Sequence, residues 1–211
     1  MNLSKRLQAV ATLVDINSRV IDVGCDHAYL DIYLTLNNEN KCIATDINKN
    51  ALEMAKKNIK KYNLENKIET KLTNGLRDVK VKKSDNIVIS GMGTFTILDI
   101  LETNKLSDIL IISSNNNIDI LRKEVIDLGY HIDSEIFLID RGKPYIIIKF
   151  IKGTKKYTKL DIFLGPILRN NLEYRKYIIN KYKNILNNIP KRKLFLRLKY
   201  RIIILGLKIF K

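Results

Sequence analysis

The chain has 211 residues, 45% of them hydrophobic, and a formal net charge of +16. That length suits one domain with an appendage and a real core. Two cysteines, Cys25 and Cys42, and two histidines, His27 and His131, argue against a disulfide framework and against a structural zinc site, and point to a reducing cytoplasm.

Taken in order, residues 3–14 predict a short helix with Leu3, Leu7, Val10 and Val14 on one face, without the continuous apolar core of a signal peptide. RVIDVG (19–24) reads as a buried strand, 27–36 as a helix, and CIATD (42–46) as a second strand. Asn48 is the N-cap type for a helix ending near Tyr62. KIETKL (67–72) alternates as a third strand, and DNIVISGMG (85–93) is a fourth that ends in glycines. A helix through Leu101, a strand at 108–113 and a helix from about Asn117 to Leu128 follow, with Gly129 as the stop. Two further strands, 131–140 and 143–151, flank the tight link Arg141-Gly142 and read as an antiparallel hairpin. Five β/α units closed by such a hairpin predict an α/β fold. A seven-stranded Rossmann-like sheet whose last strand inserts antiparallel is expected, an ending that resembles class I S-adenosylmethionine-dependent methyltransferases and not dehydrogenases.

Beyond Gly153 the pattern turns helical. Leu164, Leu168, Leu172, Ile179, Tyr182, Leu186 and Ile189 recur at three- and four-residue steps, and after Pro190 so do Leu194, Leu198, Ile202, Leu205 and Ile209. This predicts a coiled-coil-like antiparallel helical hairpin with those residues inside and basic residues outside. Residues 152–211 hold 17 Lys/Arg against Asp161 and Glu173, a net +15, whereas residues 1–151 are nearly neutral. The expected division is therefore 1–152, a methyltransferase domain, and 153–211, a basic hairpin for a polyanion such as RNA. Codon bias and an anionic membrane surface are the rival readings of that charge. No uncharged run approaches the ~18 residues of a membrane span, so stable insertion is not expected.

The first turn carries the ligand chemistry. In a dinucleotide-binding turn the second glycine lets the backbone approach a pyrophosphate. Here the turn is Gly24-Cys25-Asp26-His27-Ala28, and Asp26 holds that place. A carboxylate repels a pyrophosphate and suits a cation. S-adenosylmethionine lacks phosphate and carries an ammonium and a sulfonium. Asp46, 22 residues after Gly24, stands where an acid accepts from both ribose hydroxyls. Asp26 also reads as a plain N-cap, and His27 as a structural residue opening a helix.

Several segments resemble one family. They are Leu3-Ser4-Lys5-Arg6-Leu7-Gln8, Asp22 to Leu30, Asn74-Gly75-Leu76, Ile89-Ser90-Gly91-Met92-Gly93, Asn115 with Arg122, Gly142-Lys143 before Tyr145, and Leu164-Gly165-Pro166. The chain resembles the bacterial tRNA adenine N1-methyltransferases of the TrmK family, which act at tRNA position 22. It departs from that pattern at Thr94, usually glycine, at Ser113-Ser114, usually Gln-Pro, and at Asn74, usually an acid.

The resemblance implies transfer of a methyl group from S-adenosyl-L-methionine to adenine N1 in tRNA. No metal is called for, and a cytoplasmic monomer is expected. Catalysis is expected at Asp26 and at Gly91, Met92 and Gly93, where the fold places the acceptor. Cofactor contacts are expected at Asp22, Gly24, Cys25, Asp26, His27, Asp46, Ile47, Asn74, Gly75, Ser90 and Gly91. Lys5, Arg6, Asn115, Arg122 and Lys143 are the tRNA candidates. A small-molecule methyltransferase would not need the +15 tail, and a non-catalytic RNA-binding protein would not need Asp46 or the Gly-Met-Gly end.

Overall fold

The computed structural model describes residues 3–209; Met1, Asn2, Phe210, Lys211 and the side chain of Ile209 lie outside it. Seven strands form one sheet: β1 (Arg19–Val23), β2 (Lys41–Asp46), β3 (Ile68–Leu72), β4 (Asn86–Ser90), β5 (Ile109–Ser114), β6 (Tyr130–Asp140) and β7 (Lys143–Lys152). Their spatial order is β3-β2-β1-β4-β5-β7-β6. The first five run parallel to one another, and β7 enters antiparallel between β5 and β6. Arg141 (φ 49°) and Gly142 (φ 76°) link β6 to β7 with two consecutive positive φ values, the backbone of a tight hairpin turn.

The alternation of each strand sorts the helices. Val20, Cys42, Ala44, Val88 and Ile111 point to the face covered by α1 (Lys5–Ala11), α2 (Tyr29–Asn38) and α3 (Lys49–Lys61). Ile21, Val23, Ile43, Ile87, Ile89, Leu110 and Ile112 point to the face of α4 (Thr94–Thr103) and α5 (Ile118–Asp127). The strand order reverses between β1 and β4, so the crevice that such sheets offer to ligands opens at the carboxyl ends of these two strands.

The periodicity through Leu164, Leu168 and Leu172 does not make one helix. A short helix α6 (Lys159–Leu164) is held by a capping box of Thr158 and Asp161. Gly165 (φ 90°) and Pro166 then break it, a 3-10 turn spans Leu168–Asn170, and α7 (Leu172–Asn188) starts afresh behind the N-cap Asn171. The reason lies at Arg122. A Cβ on Gly165 would stand 2.5 Å from the Arg122 guanidinium and from both Glu135 carboxylate oxygens.

Arg122 itself is fully buried. Its Nε donates to Glu135 at 2.8 Å, and its other nitrogens donate to the carbonyls of Ile162, Phe163 and Leu164. This corrects its expected contact with tRNA, because no phosphate reaches a guanidinium so enclosed. Leu164, Leu168, Tyr174 and Ile178 complete the same core, so residues up to the middle of α7 belong physically to the sheet's packing. Replacing Arg122 by Met strands the Glu135 carboxylate; the expected loss is about 3–5 kcal/mol, read from the urea midpoint, with tRNA affinity of the folded fraction unchanged. A double Arg122→Met, Glu135→Leu variant should recover only part of it, because the amides of Ile167 and Leu168 then lose their acceptor.

The helix α8 (Leu194–Ile209) runs back along α7. Each helix end is served by the other. Arg197 donates to the carbonyls of Leu186 and Ile189 at the end of α7, and Arg175 donates to the carbonyl of Leu207 near the end of α8. The face of α8 turned inward carries Arg197, Tyr200, Ile203, Ile204 and Leu207. The expected seam of Leu194, Leu198, Ile202 and Leu205 is instead the exposed face. The two stripes share one period, and the one with the arginine that caps α7 and the tyrosine that meets Tyr182 at 5.6 Å takes the inside.

Candidate active site

The turn after β1 is built on three left-handed residues, Gly24 (φ 79°), Asp26 (φ 50°) and Ala28 (φ 56°). The amides of Gly24 and Cys25 both donate to the carbonyl of Thr45 on β2 at 2.9 Å, which locks the turn to the neighbouring strand end. A side chain on Gly24 would run into the Met92 methyl group from the β4 end. The Gly24 turn and the Gly91-Met92-Gly93 turn therefore touch, and glycine is required by both φ and space. The helix after the turn begins at Tyr29 with Ala28 as N-cap and no side-chain cap. Asp26 is thus not a capping residue. Its carboxylate is exposed, with only the His27 imidazole near it at 3.6 Å.

Asp46 ends β2. Its two oxygens accept from the amide of Asp26 (3.1 Å) and the amide of Asn48 (2.8 Å), so the carboxylate is aimed across the crevice. Exposed Ile47 stands next to it. Thr73 donates its amide to the Asp46 carbonyl at 3.0 Å, which brings Asn74 and Gly75 beside the strand end. The His27 carbonyl accepts from Asn58 on α3, while its Nδ1 is buried without a partner.

Beneath the turn lies a feature that the sequence motifs do not signal. Asp22 points to the α2 side, where Asp31 of α2 is fully buried. No donor reaches either Asp31 oxygen, so a hydrogen bond between the two carboxyls requires a proton held by one of them. Burial pushes Asp22 up to about 7, with Arg6 opposing. Burial, then Asp22, pushes Asp31 well above the usual carboxylate range. The Cys25 thiol is raised by burial and by the carboxylates of Asp22, Asp31, Asp46 and Asp26, so it is no thiolate nucleophile.

A folded state that keeps protons released by the unfolded chain above pH ~4 loses stability as pH rises, by about 1.4 kcal/mol per pH unit per proton. The ligand-free protein should therefore melt at a falling temperature between pH 4 and the about 7 of Asp22. Asp31→Asn should flatten that slope in scanning calorimetry.

At the β4 end, Arg6 reaches in from α1. It donates to the Ser90 hydroxyl, lies close to Gly91, and stacks over Tyr145 at 5.5 Å. Its amide donates to Asp140 at the hairpin tip. Arg6, Tyr29, Asp140, Arg141, Lys143 and Tyr145 line a cavity of about 480 Å³. The structure thus brings Arg6 and Lys143 together. Lys5 is exposed and does not line this cavity. Asn115 lies elsewhere, in a cavity of about 160 Å³ between the β5 end and the tyrosines of α7. The neighbouring Asn116 was not anticipated: its side chain accepts from the Thr94 amide and its carbonyl from the Thr94 hydroxyl, tying the β5 end to the start of α4. Tyr29 and Tyr145 stand inside the segments that resemble the family, but no pattern in the sequence gives either of them a role in the site.

The donor set can be tested against a ligand. Two carboxylates, Asp26 and Asp46, stand open at this turn, Asp22 and Asp31 are buried beneath it, and Arg6 is the cation that acts on Asp22. Such a site suits a ligand with two positive groups and one carboxylate, and fits S-adenosylmethionine. Among the described residues no group of three or more His, Cys, Asp or Glu could hold a metal ion.

Residues 3–148 match the methyltransferase domain family. The tRNA (adenine(22)-N(1))-methyltransferase of Bacillus subtilis is 33% identical over 175 residues, 80% of this chain and 74% of that protein. TrmK of M. capricolum, solved with S-adenosyl-homocysteine, superposes with a TM-score of 0.85 at 32% identity over 98% of this chain and 96% of its own. A Streptococcus pneumoniae protein in complex with S-adenosyl-L-methionine gives 0.87 at 30% identity, over 99% of each chain.

Proposed function

Since the chain belongs to the tRNA (adenine(22)-N(1))-methyltransferase family, we infer that its crevice carries S-adenosylmethionine at the β1–β2 end and receives adenine 22 of tRNA from the β4 end. The protein is an S-adenosylmethionine-dependent tRNA methyltransferase. The observation that carries the reading is the Asp46 carboxylate, held by the amides of Asp26 and Asn48 beside a glycine turn that bears an acid.

Asp46 accepts from the ribose hydroxyls, and Ile47 packs on the cofactor adenine with Asn74 and Gly75 beside it. The exposed Asp26 carboxylate faces the cationic end, with Asp22 and Asp31 buried beneath the turn, and Arg6 pairs with the cofactor carboxylate. When bound, S-adenosylmethionine supplies an electrophilic methyl group on a sulfonium. Adenine N1 attacks with its own lone pair as the sulfur–methyl bond breaks, and the positive charge passes from sulfur to the ring. No base has to remove a proton first, so alignment supplies most of the acceleration. Gly91 and Gly93 let the base approach the backbone, and Met92 packs between the two turns. The ring becomes cationic as the bond forms, and the exposed Asp26 carboxylate favours that charge. Tyr29 and Tyr145 offer faces for the base, and Lys143 a charge for its phosphate.

Asp26→Asn keeps the shape and removes the charge. Its single-turnover rate should fall by about tenfold to a hundredfold while tRNA affinity changes little. An unchanged rate would free Asp26 of a chemical role. The division of labour at residue 152 belongs to the same proposal: the basic arm 153–211 holds tRNA through the exposed lysines of α7 and the bend, a reading supported by the +15 charge of residues 152–211.

The whole reading is tested by incubating the protein with unmodified tRNA and methyl-labelled S-adenosylmethionine, then identifying the methylated nucleoside and its position by mass spectrometry. 1-Methyladenosine at position 22 is the expected product. Another nucleoside, a labelled small molecule or no transfer would each overturn it.

A further inference from the structure

The outer face of α8 is an apolar surface left without a partner among the described residues. Leu194 is 71% exposed, Phe195 92%, Leu198 54%, Ile202 59% and Leu205 57%. At 100° per residue these five fall within an arc of about 100°, as on an amphipathic helix that has a second apolar partner to meet. The first partner is α7, which takes the opposite face through Tyr200, Ile204 and Leu207. Arg201 and Lys208 run along one margin of the exposed stripe and Lys199 lies near the other, and all three are exposed. Leu194, Phe195, Leu198, Arg197 and Arg201 enclose a shallow hollow of about 400 Å³ at the start of the helix. No acidic residue follows Glu173 in the sequence.

We propose that this face of α8 lies on an anionic lipid bilayer, in the plane of its headgroups. Charge selects the occupant. A second copy of the chain would bring two helices with no carboxylates face to face, and like charges would oppose the contact. RNA phosphates would use the lysines and arginines but gain nothing from four aliphatic side chains, which neither donate hydrogen bonds nor stack. An anionic bilayer uses both features: leucine, isoleucine and phenylalanine enter the acyl boundary, and the flanking arginines and lysines stay with the headgroup phosphates. No helix among the described residues is long and apolar enough to cross a membrane, so the contact is with the surface. α7 turns its other side away from the bilayer, with Lys176, Lys181 and Lys183 exposed and free for tRNA.

The full-length protein would be floated with vesicles of phosphatidylcholine alone and of phosphatidylcholine with about 30% phosphatidylglycerol, an anionic surface of the kind that attracts basic amphipathic helices, beside a Leu198→Gln, Ile202→Gln variant. That variant keeps the charge and a good helix former, and cofactor affinity reports that it is folded. The wild type should bind the anionic vesicles at least tenfold better than the neutral ones. The variant should lose at least tenfold of that binding with tRNA affinity unchanged. Three results would overturn the proposal: no binding to anionic vesicles, binding that the variant retains in full, or a wild-type dimer in sedimentation that the variant converts to monomer. A variant whose tRNA affinity falls in parallel would also overturn it and give the stripe to RNA.

Discussion

Asp46→Ala should cost the protein its cofactor. The carboxylate in its proposed role makes two charge-assisted hydrogen bonds to ribose hydroxyls, each on the order of 1.5–3 kcal/mol. It also holds the amides of Asp26 and Asn48, so its loss releases the turn and the start of α3 together. Titration calorimetry should show affinity for S-adenosylmethionine falling by about a hundredfold or more, at about 1.4 kcal/mol per tenfold. Asp46→Asn keeps one acceptor and should fall between. The melting temperature of the ligand-free variant should move by only a few degrees, because the residue is partly exposed and outside the core. Unchanged affinity would take Asp46 out of the site.

The second large effect is expected on tRNA. Lys176, Lys181, Lys183, Lys191 and Lys193 are exposed on α7 and on the bend that follows it. Changing all five to Gln should lower tRNA affinity by about a hundredfold at physiological salt. The slope of log affinity against log salt should drop by about 0.7–0.9 for each phosphate that the arm no longer neutralises, since neutralising a phosphate releases a condensed counterion. The rate at saturating tRNA should hold, because none of the five reaches the crevice. A filter-binding series at several salt concentrations measures both quantities. An unchanged slope would mean that the arm does not hold phosphates. The arginines Arg175 and Arg197 are left out of this variant because they cap helix ends, and their loss would confuse folding with binding.

The strands and the ligand turn are legible because each is a local pattern: runs of apolar residues, a glycine where φ must be positive, an acid at a strand end. The two glycine turns can be read singly, but their contact through Met92 cannot. Asp31 is invisible for a different reason. A carboxylate in the first turn of a helix is an ordinary sight, and only the docking of α2 on β1 buries it beside Asp22. Arg122 shows the reverse error. It stands in a motif shared with a tRNA-binding family and so reads as a contact for tRNA, whereas its partner Glu135 and the carbonyls of α6 are 13 to 42 residues away. Along α8 both faces are apolar at the same period, so spacing alone has no means of choosing the inward one. The choice is made by Arg197 and Tyr200, residues that a search for leucines passes over.

The crossed arginines of the C-terminal hairpin bear on how such an arm can change in evolution. Arg197 reads the last carbonyls of α7, and Arg175 reads those of α8. Adding one turn to α7 alone would carry the bend, and Arg197 with it, about 5.4 Å outward, draw Leu207 away from Arg175 by the same step and leave the end of α8 bare. A deletion in α8 alone would likewise strand Arg175. Insertions and deletions are tolerated only as matched pairs, one in each helix and of whole turns, so arms built this way should occur in discrete lengths, and the span from sheet to bend acts as a gauge inherited in steps.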